Sequence, residues 1–169
     1  MNKIPLDPRG WWLSEKLDGC RCIWTGTAFL SRNGHPFTPP PRWFEGMPNT
    51  RLDGELFAGR GGFETLVSVI QTKGSAWQGI TFQVFDLATL RQPIETRLAA
   101  LARLALPGHC QLVPHRACGG HSDLDATEAA IVAGGGEGLC LRAPGSFYRP
   151  YNFHKIKRLF PDLNRSQLD

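Results

Sequence analysis

Short apolar segments, each followed by turn residues, are the feature that most limits what this chain can fold into. Alternation and β-branched or aromatic composition predict strands at residues 11–16, 22–25, 27–31, 52–58, 80–87, 111–116, 138–141 and 151–157. Helical spacing predicts helices near residues 63–70, over 94–106, and from a capping box of Asp125 and Glu128 to the glycines at 134–136. Because strands dominate and few connections have the length of a βαβ unit, the sequence predicts an α+β fold of largely antiparallel sheets flanked by helices.

Composition places the chain among single-domain globular proteins. Its 169 residues suffice for one domain with a sizeable core, and 41% hydrophobic with 20% charged residues is ordinary for that class. The proline-rich stretch 36–48 contains Trp43 and Phe44, which favour burial, so we expect an ordered loop there and no linker. The sequence therefore predicts one domain over residues 1–169.

Neither a membrane span nor an export signal is visible. No run approaches the ~18–20 apolar residues that a span needs, and residues 1–8 lack the apolar segment of a signal peptide. The five cysteines are odd in number, which favours free thiols in a reducing cytosol. We therefore expect a cytoplasmic protein without a membrane partner. The net charge of +4 permits a polyanionic partner without establishing one.

The clearest chemical signal is the segment Ser14-Glu15-Lys16-Leu17-Asp18-Gly19-Cys20-Arg21. A lysine follows an apolar strand and precedes a turn-forming Asp-Gly pair and an arginine. A lysine attacks only when neutral, and the reference pKa of ~10.4 leaves roughly one side chain in a thousand neutral near physiological pH. Nearby cations and desolvation raise that fraction, and cations follow at residues 155, 157 and 158. Attack on a nucleotide phosphate is therefore coherent, although spacing alone favours an exposed lysine beside a β-turn.

Residues 16–21, with the pattern Lys-x-Asp-Gly-x-Arg, resemble motif I of the covalent nucleotidyltransferases. This superfamily contains the ATP- and NAD-dependent DNA ligases, the RNA ligases and the mRNA capping enzymes. Five further segments resemble motifs Ia, III, IIIa, IV and V in the family's order, at residues 31–34, 52–56, 82–87, 137–141 and 155–157. The likeness is greatest to the minimal bacterial and phage ATP-dependent DNA ligases. It implies a nucleotidyltransferase, ATP-grasp-like domain.

The resemblance implies a role for each matched residue in the transfer of AMP from ATP. Lys16 would attack the α-phosphate and become a lysyl-AMP, with release of pyrophosphate. Main-chain groups around Glu15 would lie against the adenine edge, and Phe85 would stack on the adenine ring. Glu55 would accept hydrogen bonds from the ribose hydroxyls.

The same resemblance implies the groups that handle phosphate and metal. Lys155 and Lys157 would bind the α-phosphate, and Glu137 would help to hold Mg²⁺ or Mn²⁺. Arg21 and Arg32 would contact phosphates of the nucleotide or of a nicked DNA strand. These residue types suit the chemistry, because phosphoryl transfer needs positioning and charge neutralisation. Mg²⁺ prefers oxygen ligands, and arginine presents a planar fork to phosphate.

Taken singly, each matched residue has a simpler interpretation. By composition Phe85 would be a core residue of an apolar strand, and residues 53–55 would be a turn or a solvated patch. The charged residues 155–158 would be a surface run, and the glycines at 134–136 are interpreted as a helix end, since no P-loop pattern follows them. Only the joint pattern favours the functional interpretation.

Five side chains of zinc-ligand type also lie close together in the sequence, namely His109, Cys110, His115, Cys118 and His121. Their spacings fit no familiar zinc finger. A strand over residues 111–116 would point successive side chains to opposite faces. The sequence favours separate side chains here and leaves a zinc site open as the alternative.

Ligases of this kind continue after motif V into an OB-fold domain with motif VI, whereas only twelve residues follow Lys157. We expect an adenylation domain alone, as a fragment, a natural truncation or a ligase-like binding protein. The favoured interpretation is an ATP-dependent DNA ligase domain that seals nicked double-stranded DNA, as a monomer with a protein partner supplying the OB-fold function. The alternatives are an RNA ligase, a capping-type guanylyltransferase, and a catalytically silent nucleotide- or nick-binding module.

Overall fold

The computed structural model describes residues 4–88, 91–149 and 154–156. The strands are β1 (Trp12–Glu15), β2 (Cys20–Trp24), β3 (Phe29–Ser31), β4 (Leu52–Phe57), β5 (Thr81–Leu87), β6 (Cys110–Leu112), β7 (Arg116–Ala117), β8 (Leu139–Arg142) and β9 (His154–Ile156). The helices are α1 (Phe63–Gln71), α2 (Ile94–Leu101) and α3 (His121–Ala133), with a 3-10 turn at Pro41–Trp43. Within the described ranges, each helix is too short or too polar to cross a bilayer.

The strands form two sheets. The four-stranded sheet has the order β7-β1-β8-β9, and the five-stranded sheet has the order β3-β2-β4-β5-β6. Every pairing between these strands is antiparallel except that of β5 with β6. The predicted α+β fold with largely antiparallel sheets is therefore confirmed.

One face of the five-stranded sheet carries the main hydrophobic core. Strand β4 alternates, so Leu52 and Leu56 point into this core and are fully buried. Gly54 lies between them on the same face, where a Cβ atom would lie only 2.6 Å from a ring carbon of Phe82. The absence of a side chain at Gly54 lets the Phe82 ring cover the middle of the strand.

The proline-rich stretch covers this core with aromatic side chains. Trp43 is 1% exposed, and its ring lies 5.8 Å from that of Phe29 and 4.8 Å from that of Trp77. The predicted burial is thus confirmed for Trp43 and wrong for Phe44, which is 42% exposed. Phe44 lies at the edge of the cluster, 5.6 Å from the Phe29 ring, and so covers only one side of it.

Helix α2 and the strand predicted over residues 111–116 both differ from the sequence prediction. Helix α2 ends at Leu101, not at residue 106, because the N–H groups of Arg103 and Leu104 bond carbonyls only three residues back, which tightens the chain into turns. Residues 111–116 are not one strand. Val113 N–H still bonds Val84 O at 2.8 Å, but Pro114 has no N–H to continue, and the chain passes to β7 in the other sheet.

Helix α3 begins four residues before the predicted capping box. Gly120, with φ of 130°, precedes its first residue, and the Asp123 carboxylate accepts the N–H of Gly119 at 2.8 Å. Asp125 therefore lies inside the helix, and Glu128 is buried, so the capping-box prediction is wrong. The glycine end is confirmed, since Gly134 caps the helix.

Candidate active site

Strand β5 contains a β-bulge. Between the pairs that Val84 and Asp86 make with β4, the register shifts and Phe85 has no partner. The bulge interrupts the alternation, so Val84 and Leu87 both join the core. Phe85 and Asp86 consequently both line a cavity on the other side of the sheet.

This cavity has a volume of about 460 Å³ and is lined by residues of both sheets. Eight predicted site residues line it, namely Glu15, Lys16, Arg21, Arg32, Glu55, Phe85, Glu137 and Lys155. The ninth, Lys157, lies outside the described residues. Residues from all six motifs thus converge on one place.

Lys16 follows β1 directly, and its main-chain N–H donates to Gly138 O at 2.8 Å. Its side chain is 18% exposed, and Nζ donates to Oε2 of Glu137, whose side chain is 14% exposed. The start of β8 therefore fixes both the main chain and the amino group of Lys16. The ion pair places a carboxylate in direct contact with the predicted nucleophile.

Glu55 faces the cavity from the middle of β4, directly opposite Arg21 of β2. Burial raises the pKa of the Glu55 carboxyl to about 7, although Arg21, Lys16 and Lys155 favour its charged form. The site therefore holds a carboxyl group that keeps its proton to higher pH than an exposed glutamate does.

Arg21 is bound to a carboxylate that the sequence analysis assigned no role. Its Nε and Nη2 atoms donate to the two carboxylate oxygens of Asp53, which is fully buried. The Tyr148 hydroxyl donates to Asp53 Oδ2 at 2.8 Å. The Arg21 guanidinium carbon lies 5.1 Å from the centroid of the Phe85 ring. The available sequence signal for Asp53 was its place in the segment that resembles motif III, where it is one of two acidic residues between Leu52 and Leu56.

Behind Phe85, a second buried carboxylate joins the two sheets. Asp86 accepts from Arg97 of α2 at 2.7 Å and from Arg142 of β8 at 2.6 Å. Arg142 also donates to the main-chain oxygen of Phe85 at 2.9 Å and to Nε2 of His115. Since arginine only donates, His115 carries its proton on Nδ1, and burial lowers its pKa to about 3. These four side chains support the bulge from behind.

The Glu15 side chain forms an ion pair with Arg60, which is not among the predicted site residues. Both carboxylate oxygens accept from Arg60 at 3.0 Å, and Arg60 Nη1 donates to Gly134 O at 2.9 Å. Arg60 thereby ties the end of β1 to the end of α3. Gly136 leaves room for this arrangement, because a Cβ there would lie 2.8 Å from Glu15 Oε1.

The five zinc-ligand types are placed apart, with separate partners. His109 stacks on Trp43 at 4.4 Å, Cys110 contacts the sulfur of Met47 at 3.5 Å, and His121 bonds Leu6 O at 2.9 Å. Across the described part of the chain, no three His, Cys, Asp or Glu side chains form a group suited to a metal ion.

Two sheets with a lysine-bearing cavity between them fit the nucleotidyltransferase-domain fold that the six sequence motifs predict. No family model matches the sequence. The chain is 30% identical over 162 residues to a DNA ligase of Haemophilus influenzae, a match that covers 94% of this chain and 60% of that protein. A solved structure from a structure–function analysis of Lig E DNA ligases is 27% identical, with a TM-score of 0.84, over 91% of this chain and 64% of that chain.

A Chlorella virus DNA ligase-adenylate structure has a TM-score of 0.72 and 19% identity, over 88% of this chain and 61% of that one, and so supports the fold alone. The resemblance to ATP-dependent DNA ligases, and to their adenylation domain in particular, is confirmed. The chain spans about 60% of the length of the curated relative it matches.

Proposed function

We propose that this chain is the adenylation domain of an ATP-dependent DNA ligase. It forms a lysyl-AMP at Lys16, transfers the AMP to the 5′-phosphate of a nick in double-stranded DNA, and lets the 3′-hydroxyl displace it. The observation that carries the proposal is the convergence of eight motif residues, distant in the sequence, on the cavity that holds Lys16.

The adenosine of ATP lies between the two sheets. The Phe85 ring, presented by the bulge, offers a flat face for the adenine ring. Main-chain groups around Glu15 read the edge of the base, while its side chain is held away by Arg60. The half-buried carboxyl group of Glu55 accepts hydrogen bonds from the ribose hydroxyls.

Transfer of AMP needs an amine at Lys16 in line with the α-phosphate. The Nζ–P bond forms as the bond from phosphorus to the pyrophosphate oxygen breaks, and pyrophosphate leaves. Lys16 must first lose a proton, and Glu137 Oε2 is in hydrogen-bond contact with it. Lys155 and Lys157 neutralise the charge on the α-phosphate oxygens.

The cavity residues fit a divalent cation of the Mg²⁺ type. Mg²⁺ retains waters and binds substrate phosphates, so one or two protein carboxylates suffice. Glu137 faces the cavity and would hold Mg²⁺ or Mn²⁺ there together with the nucleotide. Such an ion, when bound, neutralises phosphate charge and so favours departure of pyrophosphate.

The same cavity opens towards the nicked DNA. Arg32 is exposed at its rim, where a guanidinium suits the phosphates of the strand. We propose a monomer that acts in the cytoplasm, with the OB-fold function supplied by a protein partner. The five cysteines are free, as in a reducing compartment.

Sealing of a nicked duplex tests the proposal. The chain, Lys16→Ala and Lys73→Ala are each incubated with ATP, Mg²⁺ and a fluorescent nicked duplex. Lys73 is an exposed lysine outside the cavity, so Lys73→Ala is the matched control. We expect sealing by the chain and by Lys73→Ala, and none by Lys16→Ala.

A duplex whose nick already carries a 5′-adenylate separates the chemical steps. The chain should seal it without ATP, and Lys16→Ala should retain part of this activity. Failure on both duplexes would favour the silent binding module. Sealing of nicked RNA alone, or labelling by GTP in place of ATP, would favour the RNA ligase or the guanylyltransferase.

A further inference from the structure

Residues 143–149, which follow β8, run along the mouth of the cavity and are called the strap here. Gly145 N–H donates to the Glu95 carboxylate at 3.0 Å, and Ser146 O accepts from Arg97 at 2.8 Å. A β-bridge joins the strap to the residue that precedes α2. Helix α2 and the residue before it therefore hold the strap at three successive residues.

Tyr148 lines the cavity from this strap. Its hydroxyl donates to Asp53 at 2.8 Å, and Asp53 lies on β4 of the five-stranded sheet. Because the strap continues the four-stranded sheet, this hydrogen bond links the two sheets across the cavity. Burial and the adjacent Asp53 carboxylate raise the pKa of Tyr148, so its hydroxyl keeps the donated proton.

The Tyr148 hydroxyl donates to a carboxylate, that of Asp53, whose orientation is already restricted by its other hydrogen bonds. Asp53 is fully buried and accepts from two nitrogens of Arg21 as well as from Tyr148. A buried carboxylate is stable only while its oxygens are satisfied. The Tyr148 hydroxyl, as third donor, therefore restricts the orientation of the Asp53 carboxylate. Because both oxygens of Asp53 accept from Arg21, it also restricts the orientation of the Arg21 guanidinium.

Arg21 lies where the nucleotide is proposed to bind. Its guanidinium is 5.1 Å from the Phe85 ring centroid, and its backbone pairs with Glu55. A guanidinium close to the Phe85 ring, on the residue that pairs with Glu55, has to keep its position while the α-phosphate approaches Lys16. Misplacement of such a group by about 1 Å is enough to slow a reaction markedly.

From this arrangement we infer that Tyr148 is a positioning residue for the formation of lysyl-AMP. Its hydroxyl fixes Asp53, Asp53 fixes Arg21, and Arg21 aligns the bound nucleotide with Lys16. The inference rests on the proposed function, since it needs a nucleotide in this cavity. It adds the strap, a segment outside the six motifs, to the groups that set the geometry of the reaction.

A second arginine–aspartate pair with a neighbouring hydroxyl, at the protein surface, provides the matched control for Tyr148. Arg116 donates to both oxygens of Asp123, at 2.7 and 2.8 Å, and the Thr127 hydroxyl donates to the same aspartate at its main-chain oxygen, at 2.6 Å. This arginine–aspartate–hydroxyl group joins Arg116 of β7 to α3, and none of its residues lines the cavity. Thr127→Val therefore loses a comparable hydrogen bond without reaching the site.

The test compares the wild-type chain, Tyr148→Phe and Thr127→Val in single-turnover formation of lysyl-AMP. Tyr148→Phe keeps the ring and loses only the hydroxyl. We expect its rate at saturating ATP to fall about tenfold, with the half-saturating ATP concentration unchanged, and Thr127→Val to equal the wild type. In ¹⁵N-arginine spectra, the Nε–H signal of Arg21 should exchange faster in Tyr148→Phe, while that of Arg97 stays unchanged.

The possible outcomes distinguish a failure of this inference from a failure of the proposed function. An active wild type with unchanged rate and unchanged Arg21 exchange in Tyr148→Phe would overturn the inference alone. Equal losses in Tyr148→Phe and Thr127→Val would also overturn it, because they would show a general loss of stability. A wild type that forms no lysyl-AMP would remove the proposed function and the inference together.

Discussion

The two faces of the five-stranded sheet are built from alternate residues of the same strands, yet they differ completely in chemistry. On β4, Leu52 and Leu56 lie in a dry core, whereas Asp53 and Glu55 between them face the cavity. The core face is held by apolar packing, and the cavity face by hydrogen-bonded ion pairs. A strand of six residues thus serves stability and the proposed chemistry at once.

The contrast teaches that the charged face carries two kinds of residue. Asp53 and Asp86 are paired with arginines and hold the sheets in position. Glu55 lies nearer to the proposed reaction at Lys16, and its partial burial has a cost in stability that is reflected in its raised pKa. Substitutions on the two faces should therefore separate stability from activity, except where an ion pair supports the fold.

The largest expected loss of stability comes from the cavity face, although apolar packing on the other face forms the core. Asp86→Ala leaves the buried guanidiniums of Arg97 and Arg142 without their shared carboxylate. We expect the free energy of unfolding to fall by about 3–5 kcal/mol, measured by urea denaturation. Asp7→Ala, which breaks an exposed pair with Arg9, is the control and should change little. Equal results for the two variants would mean that Asp86 does not hold the sheets together.

A somewhat smaller loss of stability is expected from a substitution on the core face, and it should leave the cavity face unaffected. Leu56→Ala removes a fully buried side chain next to Glu55 in β4, and the cavity it leaves should lower the free energy of unfolding by about 2–5 kcal/mol. ATP affinity of the folded protein should stay the same. Leu112→Ala, at a leucine that is 38% exposed, should cost far less in the same urea series. Lost ATP affinity in Leu56→Ala would show that the two faces are coupled.

The smallest expected change in stability is that of Glu55→Gln, and it depends on pH. The pKa of Glu55 rises from 4.5 to about 7 on folding, so the native state holds a proton that the unfolded chain releases between these values. Stability of the wild type should therefore fall as pH rises through this window, and Glu55→Gln should not show this loss.

Thermal denaturation in parallel buffers checks the difference. Glu55→Gln should be more stable than the wild type near pH ~8, by at most about 3 kcal/mol, and equal to it near pH ~4. It should also lose most AMP transfer. A stability difference that grows towards acid would contradict the assignment of Glu55 as a partly buried group whose charge destabilises the fold.

Much of this arrangement follows from local patterns in the sequence. Alternation in residues 52–58 predicted β4 and therefore which of its side chains share a face. The likeness of residues 16–21 and five further motifs to the nucleotidyltransferases predicted which residues converge on one cavity. Local turn chemistry was equally informative at Gly134, which ends α3 as expected.

The remaining features depend on contacts between distant residues. The bulge at Phe85 shifts the register by one residue, which a period of two cannot reveal. The pairing of Asp86 with Arg97 and Arg142 joins three elements, and Tyr148 reaches Asp53 across 95 positions of the sequence. Such pairs arise only once the sheets are packed together, so composition and periodicity do not specify them.

Intact mass measurement after incubation with ATP and Mg²⁺ tests the central claim, that the cavity between the sheets forms a covalent bond between Lys16 and AMP. We predict a gain of one AMP in the wild type and in Lys73→Ala, reversed by pyrophosphate and located on Lys16 by peptide mapping. Lys16→Ala should show no gain. AMP on a different lysine, or an equal gain in Lys16→Ala, would contradict the account.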